Sequence, residues 1–146
     1  MTDTCIIVEM SNQSKIIRAA CLAVFNDKKI IMAKGDSKEV YFFVGGGLET
    51  GENDIDCLIR EVKEEINCEI DKDSIKFLAE FEDIAHGREN TVVQLPFYTA
   101  TLIGEPNPSN EVDEISYLDT SVDPKHLSVI AINKVYPWLK ENGYIN

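Results

Sequence analysis

The feature that most constrains this chain is a stretch of about four helical turns, residues 53–66, whose two faces have opposite character. Asn53 is a favourable N-cap residue, and Asp54 and Asp56 follow it at the positive end of the helix dipole. Apolar side chains recur at helical spacing along one face, at Ile55, Leu58, Ile59, Val62 and Ile66. This pattern predicts an α-helix that packs its apolar face on a sheet.

The other face of this predicted helix carries three glutamates, Glu61, Glu64 and Glu65. No lysine or arginine lies between them on that face, because helical spacing points Arg60 and Lys63 elsewhere. Like charges three and four residues apart repel by about 0.2–0.5 kcal/mol per pair. An acidic helix face is most often simply solvated, but such a face usually has lysines interspersed. A hard divalent cation would explain the cluster, because Mg²⁺ prefers oxygen ligands.

Three consecutive glycines, residues 45–47, come shortly before the helix. Glycine lets the main chain turn sharply and present its amides or carbonyls to a ligand with no side chain in between. Gly51 and Glu52 then form a second predicted turn, which brings one more carboxylate to the helix start. A glycine-rich loop alone is often only a turn, so its proximity to the glutamate cluster is what points to a site.

The rest of the chain alternates strand and loop patterns. We predict strands over residues 15–25, 29–34, 39–44, 74–85, 91–103 and 114–118, with the first two paired as a hairpin. A closing helix is predicted over residues 129–140, with a kink or interruption near Pro137. Strands interleaved with two helices predict an α/β fold in which the helices cover a mixed sheet. The length suits a single domain over residues 1–146.

Residues 46–68, GGLETGENDIDCLIREVKEEINC, resemble the Nudix box, G-x5-E-x7-R-E-U-x-E-E-x-G-U, where U is a bulky apolar residue. Gly46 and Glu52 match its first glycine and its isolated glutamate, and residues 60–65 match R-E-U-x-E-E. Asn67 stands where the family has glycine. Asparagine is the usual second choice for a left-handed residue after a helix, so we expect both fold and activity to be kept.

The resemblance implies a Nudix-like α/β/α sandwich with a central mixed sheet, and one or more Mg²⁺ or Mn²⁺ ions as cofactor. The metal ligands it implies are the carboxylates of Glu61, Glu64 and Glu65 and the main-chain carbonyl of Gly45. It also implies that Arg60 orients a neighbouring glutamate, that Glu52 supports Arg60, and that a glutamate helps to deprotonate the attacking water.

Relatives of this kind often add a carboxylate from a later loop. The candidates here are Glu111, Asp113 and Glu114, among which we favour Glu114. Substrate contacts are expected from Gly46, Gly47 and Lys34, which ends the second predicted strand.

The expected substrate is a small nucleotide, and the expected activity is hydrolysis of a phosphoanhydride bond in a nucleoside diphosphate derivative. The short chain resembles MutT-type members, which favours conversion of a nucleoside triphosphate to the monophosphate and pyrophosphate. The alternatives are hydrolysis of a sugar nucleotide or ADP-ribose-type substrate, and a non-catalytic nucleotide-binding module.

The net charge of −12 argues against binding to a nucleic acid polymer, because an acidic surface repels a phosphate backbone. Short apolar runs broken by charge give no membrane span, and the first residues lack the pattern of a signal peptide. A cytoplasmic location is therefore expected. Whether the chain forms a homodimer is left open.

Overall fold

A computed structural model describes residues 7–9, 15–35, 39–85 and 88–146. Its strands are β1 (Ile7–Glu9), β2 (Lys15–Ala23), β3 (Ile30–Gly35), β4 (Phe42–Phe43), β5 (Gly45–Gly47), β6 (Glu69–Ile84), β7 (Thr91–Ile103) and β8 (Val112–Leu118). Its helices are α1 (Asp54–Ile66), a 3-10 turn (Pro124–His126), a π-helical segment (Ala131–Val135) and α2 (Tyr136–Glu141). None of these helices combines the length and apolar character that a membrane crossing needs.

The strands form two sheets between two helical layers. The larger sheet has the order β1-β2-β7-β6, with β5 also paired to β2, and it is mixed because β2 and β7 run parallel. The smaller sheet has the order β4-β3-β8 and is antiparallel. The predicted α/β fold with a mixed sheet is confirmed, but two sheets occupy the middle layer where the sequence predicted one.

The two helical layers are explained by strands that are buried on both faces. On β2, Ala20 and Leu22 pack in a cluster with the apolar face of α1, whereas Cys21 and Ala23 pack in a second cluster with the closing helical segments. The same alternation occurs along β3. Continuous apolar runs are typical of strands that are covered on both sides.

The predicted hairpin between the first two strands is correct only at its turn. The amide and carbonyl groups of Asn26 and Lys29 exchange hydrogen bonds of 2.9 and 3.1 Å, and Phe25 bridges Ile30. Beyond the hydrogen bond from the Ile31 amide to the Val24 carbonyl, β3 pairs with β4 and β8 in the smaller sheet, and the prediction of a hairpin was wrong there. The reason is that both edges of β2 are already occupied, one by β7 and the other by β1 and β5.

The glycine run follows the strand that was predicted over residues 39–44. In the structure these glycines form a strand of their own, β5. The chain leaves the smaller sheet after Phe43 and joins the larger one at Gly45, so one continuous segment links both sheets. Gly45 has φ +145°, and a Cβ there would lie 2.0 Å from the carbonyl oxygen of Ala20. Only glycine fits so close to a neighbouring main chain.

Other boundaries differ by a few residues. Strand β6 begins at Glu69, five residues before its predicted start. The register shifts between Asp71 and Lys76, but residues 69–71 before that shift still pair with β7. Strand β8 begins at Val112, before its predicted start at residue 114. The predicted interruption of the closing helix is confirmed. It takes the form of the π-helical segment just before Pro137, where the Tyr136 amide donates to the Ala131 carbonyl.

Both predicted caps of α1 are present. The side chain of Asn53 accepts a hydrogen bond of 2.8 Å from the Asp56 amide. Asn67 has φ 52° and ψ 40°, the left-handed conformation, and its amide donates to the Lys63 carbonyl. Asn67 therefore adopts the left-handed conformation for which glycine is the usual residue after a helix.

We expect Asn67→Gly to leave the free energy of unfolding unchanged or to raise it by at most about 1 kcal/mol, because glycine adopts φ > 0 without strain. Asn67→Ala, the matched comparison, should lower it by about 1–2 kcal/mol, because alanine resists that conformation. Urea unfolding of both variants measures the difference. Equal stability of the two variants would contradict the cap assignment.

Candidate metal-binding active site

Arg60 is the centre of an ionic network at the start of the acidic face of α1. Its guanidinium binds the Glu52 carboxylate through two hydrogen bonds, Nε to Oε2 at 2.7 Å and Nη2 to Oε1 at 2.9 Å. Nη1 donates to Glu61 Oε2 at 3.0 Å and to Glu64 Oε1 at 3.3 Å, and Nη2 donates to the Gly47 carbonyl at 3.2 Å. This pairing lowers the pKa of the Glu52 carboxyl.

Glu61 and Glu65 are the two glutamates of α1 that lie deepest. Burial raises the pKa of the Glu61 carboxyl, and nearby Arg60 only partly opposes that effect. Burial also raises the pKa of the Glu65 carboxyl to about 8, although its Oε1 accepts a 3.0 Å hydrogen bond from the Gly45 amide. Both side chains therefore bear a desolvation cost in their charged form, which a bound cation would relieve.

The glycine strand fits closely against these carboxylates. A Cβ on Gly46 would lie 2.5 Å from both Cδ and Oε2 of Glu61, so the missing side chain makes room for that carboxylate. The Gly46 carbonyl accepts a hydrogen bond from the Cys57 thiol at 3.1 Å, and the Gly47 carbonyl is bound to Arg60. Strand β5 thus forms one wall of the site through its main chain.

A cleft of about 520 Å³ opens over this region, and we call it the acidic cleft. Its lining residues are Phe42, Glu61, Glu64, Glu65, Asn110, Glu111 and Val112. Among the residues that the structure describes, this lining includes four carboxylates and no lysine or arginine. Glu64 is the most accessible of the α1 glutamates, with its side chain half exposed.

Among the candidates for the later-loop carboxylate, Glu111 is the one that lines the acidic cleft. Glu114, favoured from the sequence, lies elsewhere, in a cluster with Tyr41, Ser116 and Lys34. Glu114 lies within β8 opposite Lys34, whereas Glu111 lies before β8, in the loop whose residues bind the last turn of α1.

Lys34, predicted to contact substrate, is paired with Glu114. Its Nζ lies 3.4 Å from Glu114 Oε1 and 5.2 Å from the centre of the Tyr41 ring. Tyr41 also donates a short hydrogen bond to Glu114 Oε2, and these contacts hold the pKa of the Glu114 carboxyl below its usual value. The charge of Lys34 is therefore paired, near the end of the central strand of the smaller sheet.

The oxygen donors of the acidic cleft suit Mg²⁺ or Mn²⁺, which prefer carboxylate ligands. In the described residues, no three Asp, Glu, His or Cys side chains are yet gathered closely enough to enclose an ion. Glu61 and Glu64 each direct one oxygen to Arg60. The guanidinium therefore neutralises the negative charge that a bound metal would otherwise neutralise. The donor set fits a divalent ion if the half-exposed Glu64 side chain turns from Arg60 into the cleft.

Two contributors to the site were missed from the sequence. Arg18, on β2, binds Asp54 at the start of α1 through two hydrogen bonds of 2.8 Å, and it also binds Glu80 on β6. This ionic group fixes the first turn of α1 to the larger sheet. The side-chain amide of Asn110 binds a main-chain carbonyl in the last turn of α1. Nothing in the local sequence pattern distinguishes either residue from a solvated side chain.

We expect Gly46→Ala to displace the Glu61 carboxylate while leaving the fold intact, because the atoms that a Cβ would meet are at the end of a side chain. Mn²⁺ binding, measured by electron paramagnetic resonance, should weaken by about tenfold, the usual effect of disturbing a ligand's support. Thermal unfolding of the metal-free variant serves as the control for folding. Unchanged Mn²⁺ affinity would show that Glu61 does not depend on this contact.

A second prediction follows from the raised pKa of Glu65. Between pH 4.5 and about 8 the unfolded chain ionises this carboxyl while the folded chain keeps its proton, so the metal-free protein loses stability as pH rises. Glu65→Gln should remove this loss and raise the free energy of unfolding more at pH 8 than at pH 5, by at least about 1 kcal/mol.

Urea unfolding at both pH values in EDTA checks the Glu65 prediction. Glu69→Gln is the matched control, because Glu69 is exposed and pairs with Lys63 outside the cleft. If Glu65→Gln and Glu69→Gln respond to pH in the same way, the burial argument fails.

The NUDIX domain family matches residues 15–139 of this chain. The mRNA-decapping enzyme subunit 2 of Saccharomyces cerevisiae is 31% identical over 113 residues, which are 76% of this chain and 12% of that protein. The chain therefore spans only a small part of the length of this relative. The prediction of one domain over residues 1–146 stays a prediction.

Two solved structures share the fold. A MutT NUDIX hydrolase from Burkholderia pseudomallei has a TM-score of 0.67 at 17% identity, with 88% of this chain and 98% of that chain covered. A UDP-X diphosphatase has a TM-score of 0.70 at 18% identity, with 88% of this chain and 64% of that chain covered. Together with the box over residues 46–68 and the family match, this likeness of fold shows that the chain belongs to the NUDIX domain family.

Proposed function

We propose that this chain is a divalent-metal-dependent hydrolase of a phosphoanhydride bond in a nucleoside diphosphate derivative. The observation that carries the proposal is the acidic cleft, in which two partly buried carboxylates, Glu61 and Glu65, lie against the glycine strand. Four carboxylates that line one cleft repel a diphosphate, so the proposal includes a bound divalent cation that neutralises both. A non-catalytic nucleotide-binding module would not need to maintain this repulsion.

We assign the metal to the carboxylates of the acidic cleft, namely Glu61, Glu64, Glu65 and Glu111, with the main-chain carbonyl of Gly45 as a further ligand. When bound, Mg²⁺ or Mn²⁺ would supply a Lewis acid that neutralises phosphate oxygens and makes an attacking water more acidic. Arg60 orients Glu61, and Glu52 fixes Arg60 through the paired hydrogen bonds. Glu64, half exposed, is assigned as the acceptor of the proton from the attacking water.

The uncharged part of the substrate is assigned to a second pocket of about 230 Å³, which shares Phe42 with the acidic cleft. Its walls include the side chains of Val93, Leu95 and Ile130 and the main chain of Gly46. An apolar pocket beside a metal-requiring cleft suits a molecule with a diphosphate at one end and a planar base at the other. Lys34 lines neither pocket, and its contact with the substrate stays a prediction.

The leading substrate is a nucleoside triphosphate, cleaved to the monophosphate and pyrophosphate, as the MutT-type resemblance predicts. A second candidate is a cap-type dinucleotide, favoured by the 31% identity to the yeast decapping subunit. A counterpart from another strain of the same yeast is named an m7GpppN-mRNA hydrolase. Sugar nucleotides and ADP-ribose stay alternatives. The absence of nucleic acid binding and the cytoplasmic location stay predictions, and the homodimer is left open.

The test is turnover with Mg²⁺ on nucleoside triphosphates, a sugar nucleotide, ADP-ribose and m7GpppG, with products separated by chromatography. We expect activity only with Mg²⁺ or Mn²⁺, none in EDTA, and faster turnover at mildly alkaline pH, where a water beside the metal ionises more readily. A triphosphate should give monophosphate and pyrophosphate. The other substrates should each give two phosphorylated fragments, and a preference for m7GpppG would promote the second candidate.

Glu64→Gln should lower kcat by at least about 10²-fold, whereas Glu69→Gln, the exposed matched control, should not change it. Release of orthophosphate from a triphosphate would mean attack at the terminal phosphorus and would count against the leading substrate. Turnover without metal, or near-normal kcat in Glu64→Gln, would contradict the assigned chemistry.

A further inference from the structure

The loop between β7 and β8 is fastened to the last turn of α1, next to the acidic cleft. The side-chain amide of Asn110 donates a 2.7 Å hydrogen bond to the main-chain carbonyl of Glu64. Two main-chain amides of the same loop bind the next two helix carbonyls: Ser109 to Glu65 at 3.1 Å, and Asn107 to Ile66 at 2.8 Å. The loop therefore satisfies helix-end carbonyls that would otherwise lack intrahelical partners.

The same loop delivers Glu111 to the cleft. Asn110 has φ 53°, a left-handed conformation, so the chain turns sharply just before Glu111. On the opposite side the Glu111 carbonyl lies so close to Gly35 that a Cβ there would approach it to 2.2 Å. Glu111 is thus held between the helix end, through Asn110, and strand β3, through Gly35.

We propose that Asn110 is a positioning residue that sets the Glu111 carboxylate against those of Glu64 and Glu65. The inference rests on the proposed function, because it concerns the metal-binding cleft. Asn110 lines that cleft and is bonded to the residue, Glu64, whose side chain also faces it. One amide therefore links the later-loop carboxylate to the helix that carries the other three.

The side chain of Asn110 is the part of this connection that substitution can remove selectively. The hydrogen bonds of Ser109 and Asn107 to the helix use main-chain amides, which do not depend on side-chain identity. Asn110→Gly deletes the amide group but keeps a residue that accepts φ > 0. A matched control exists in Asn90→Gly, because Asn90 has φ 48° and does not line the cleft.

The experiment measures binding of Mn²⁺ alone, by electron paramagnetic resonance, to wild type, Asn110→Gly, Asn90→Gly, Glu111→Gln and the double variant Asn110→Gly/Glu111→Gln. We expect Asn110→Gly and Glu111→Gln each to weaken Mn²⁺ binding by about tenfold, and Asn90→Gly to leave it unchanged. If Asn110 acts through Glu111, the double variant should bind no more weakly than Glu111→Gln alone.

Equal Mn²⁺ affinity of Asn110→Gly and Asn90→Gly would overturn the inference, and so would effects of Asn110→Gly and Glu111→Gln that multiply in the double variant. Glu64→Gln separates this failure from failure of the proposed function. If it weakens Mn²⁺ binding while Asn110→Gly does not, only the positioning role is lost. If wild type does not bind Mn²⁺, both proposals fail together.

Discussion

The structure around the candidate site depends on one guanidinium group. Arg60 directs its hydrogen bonds to Glu52, Glu61 and Glu64 and to one glycine carbonyl. Its positive charge offsets the repulsion between Glu52, which lies before α1, and the two glutamates of the helix. A lysine could not replace it, because a single ammonium cannot present paired donors to Glu52 and still reach the helix carboxylates. The geometry keeps the site assembled while leaving Glu64 able to change partners.

The two ends of α1 are anchored by different means, and this difference places the glutamates accurately. At the N-terminal end the anchor is ionic, since Arg18 joins Asp54 to the larger sheet. At the C-terminal end the anchor is a set of hydrogen bonds from the loop before β8. The middle of the helix is held by Leu58 and Val62, which are fully buried. A helix held at three points cannot rotate or slide, so its polar face keeps a fixed relation to β5.

The sequence was sufficient where the determinant is local. The amphipathic pattern and the two asparagine caps of α1 depend on residues within one or two turns, and they were predicted correctly. The strand that pairs with β3 was predicted wrongly, because this pairing depends on a distant strand, β7, which occupies an edge of β2. Glu111 was not distinguished from Glu114, because it reaches the cleft through the hydrogen bonds that join its loop to the end of α1. A contact between residues so far apart in the chain leaves no periodic pattern in the sequence.

Strand β2 is paired along both edges and covered on both faces, and this has a consequence for how the molecule comes to fold. Its parallel partner β7 lies far along the chain, so the two can meet only after a long loop has closed, which is slow because chain entropy opposes it. Until then one edge of an apolar strand is open to other chains. The acidic cleft also needs Asn110, Glu111 and Val112, which follow β7 along the chain, so the ability to bind a ligand should be acquired late in folding, together with the last of the sheet.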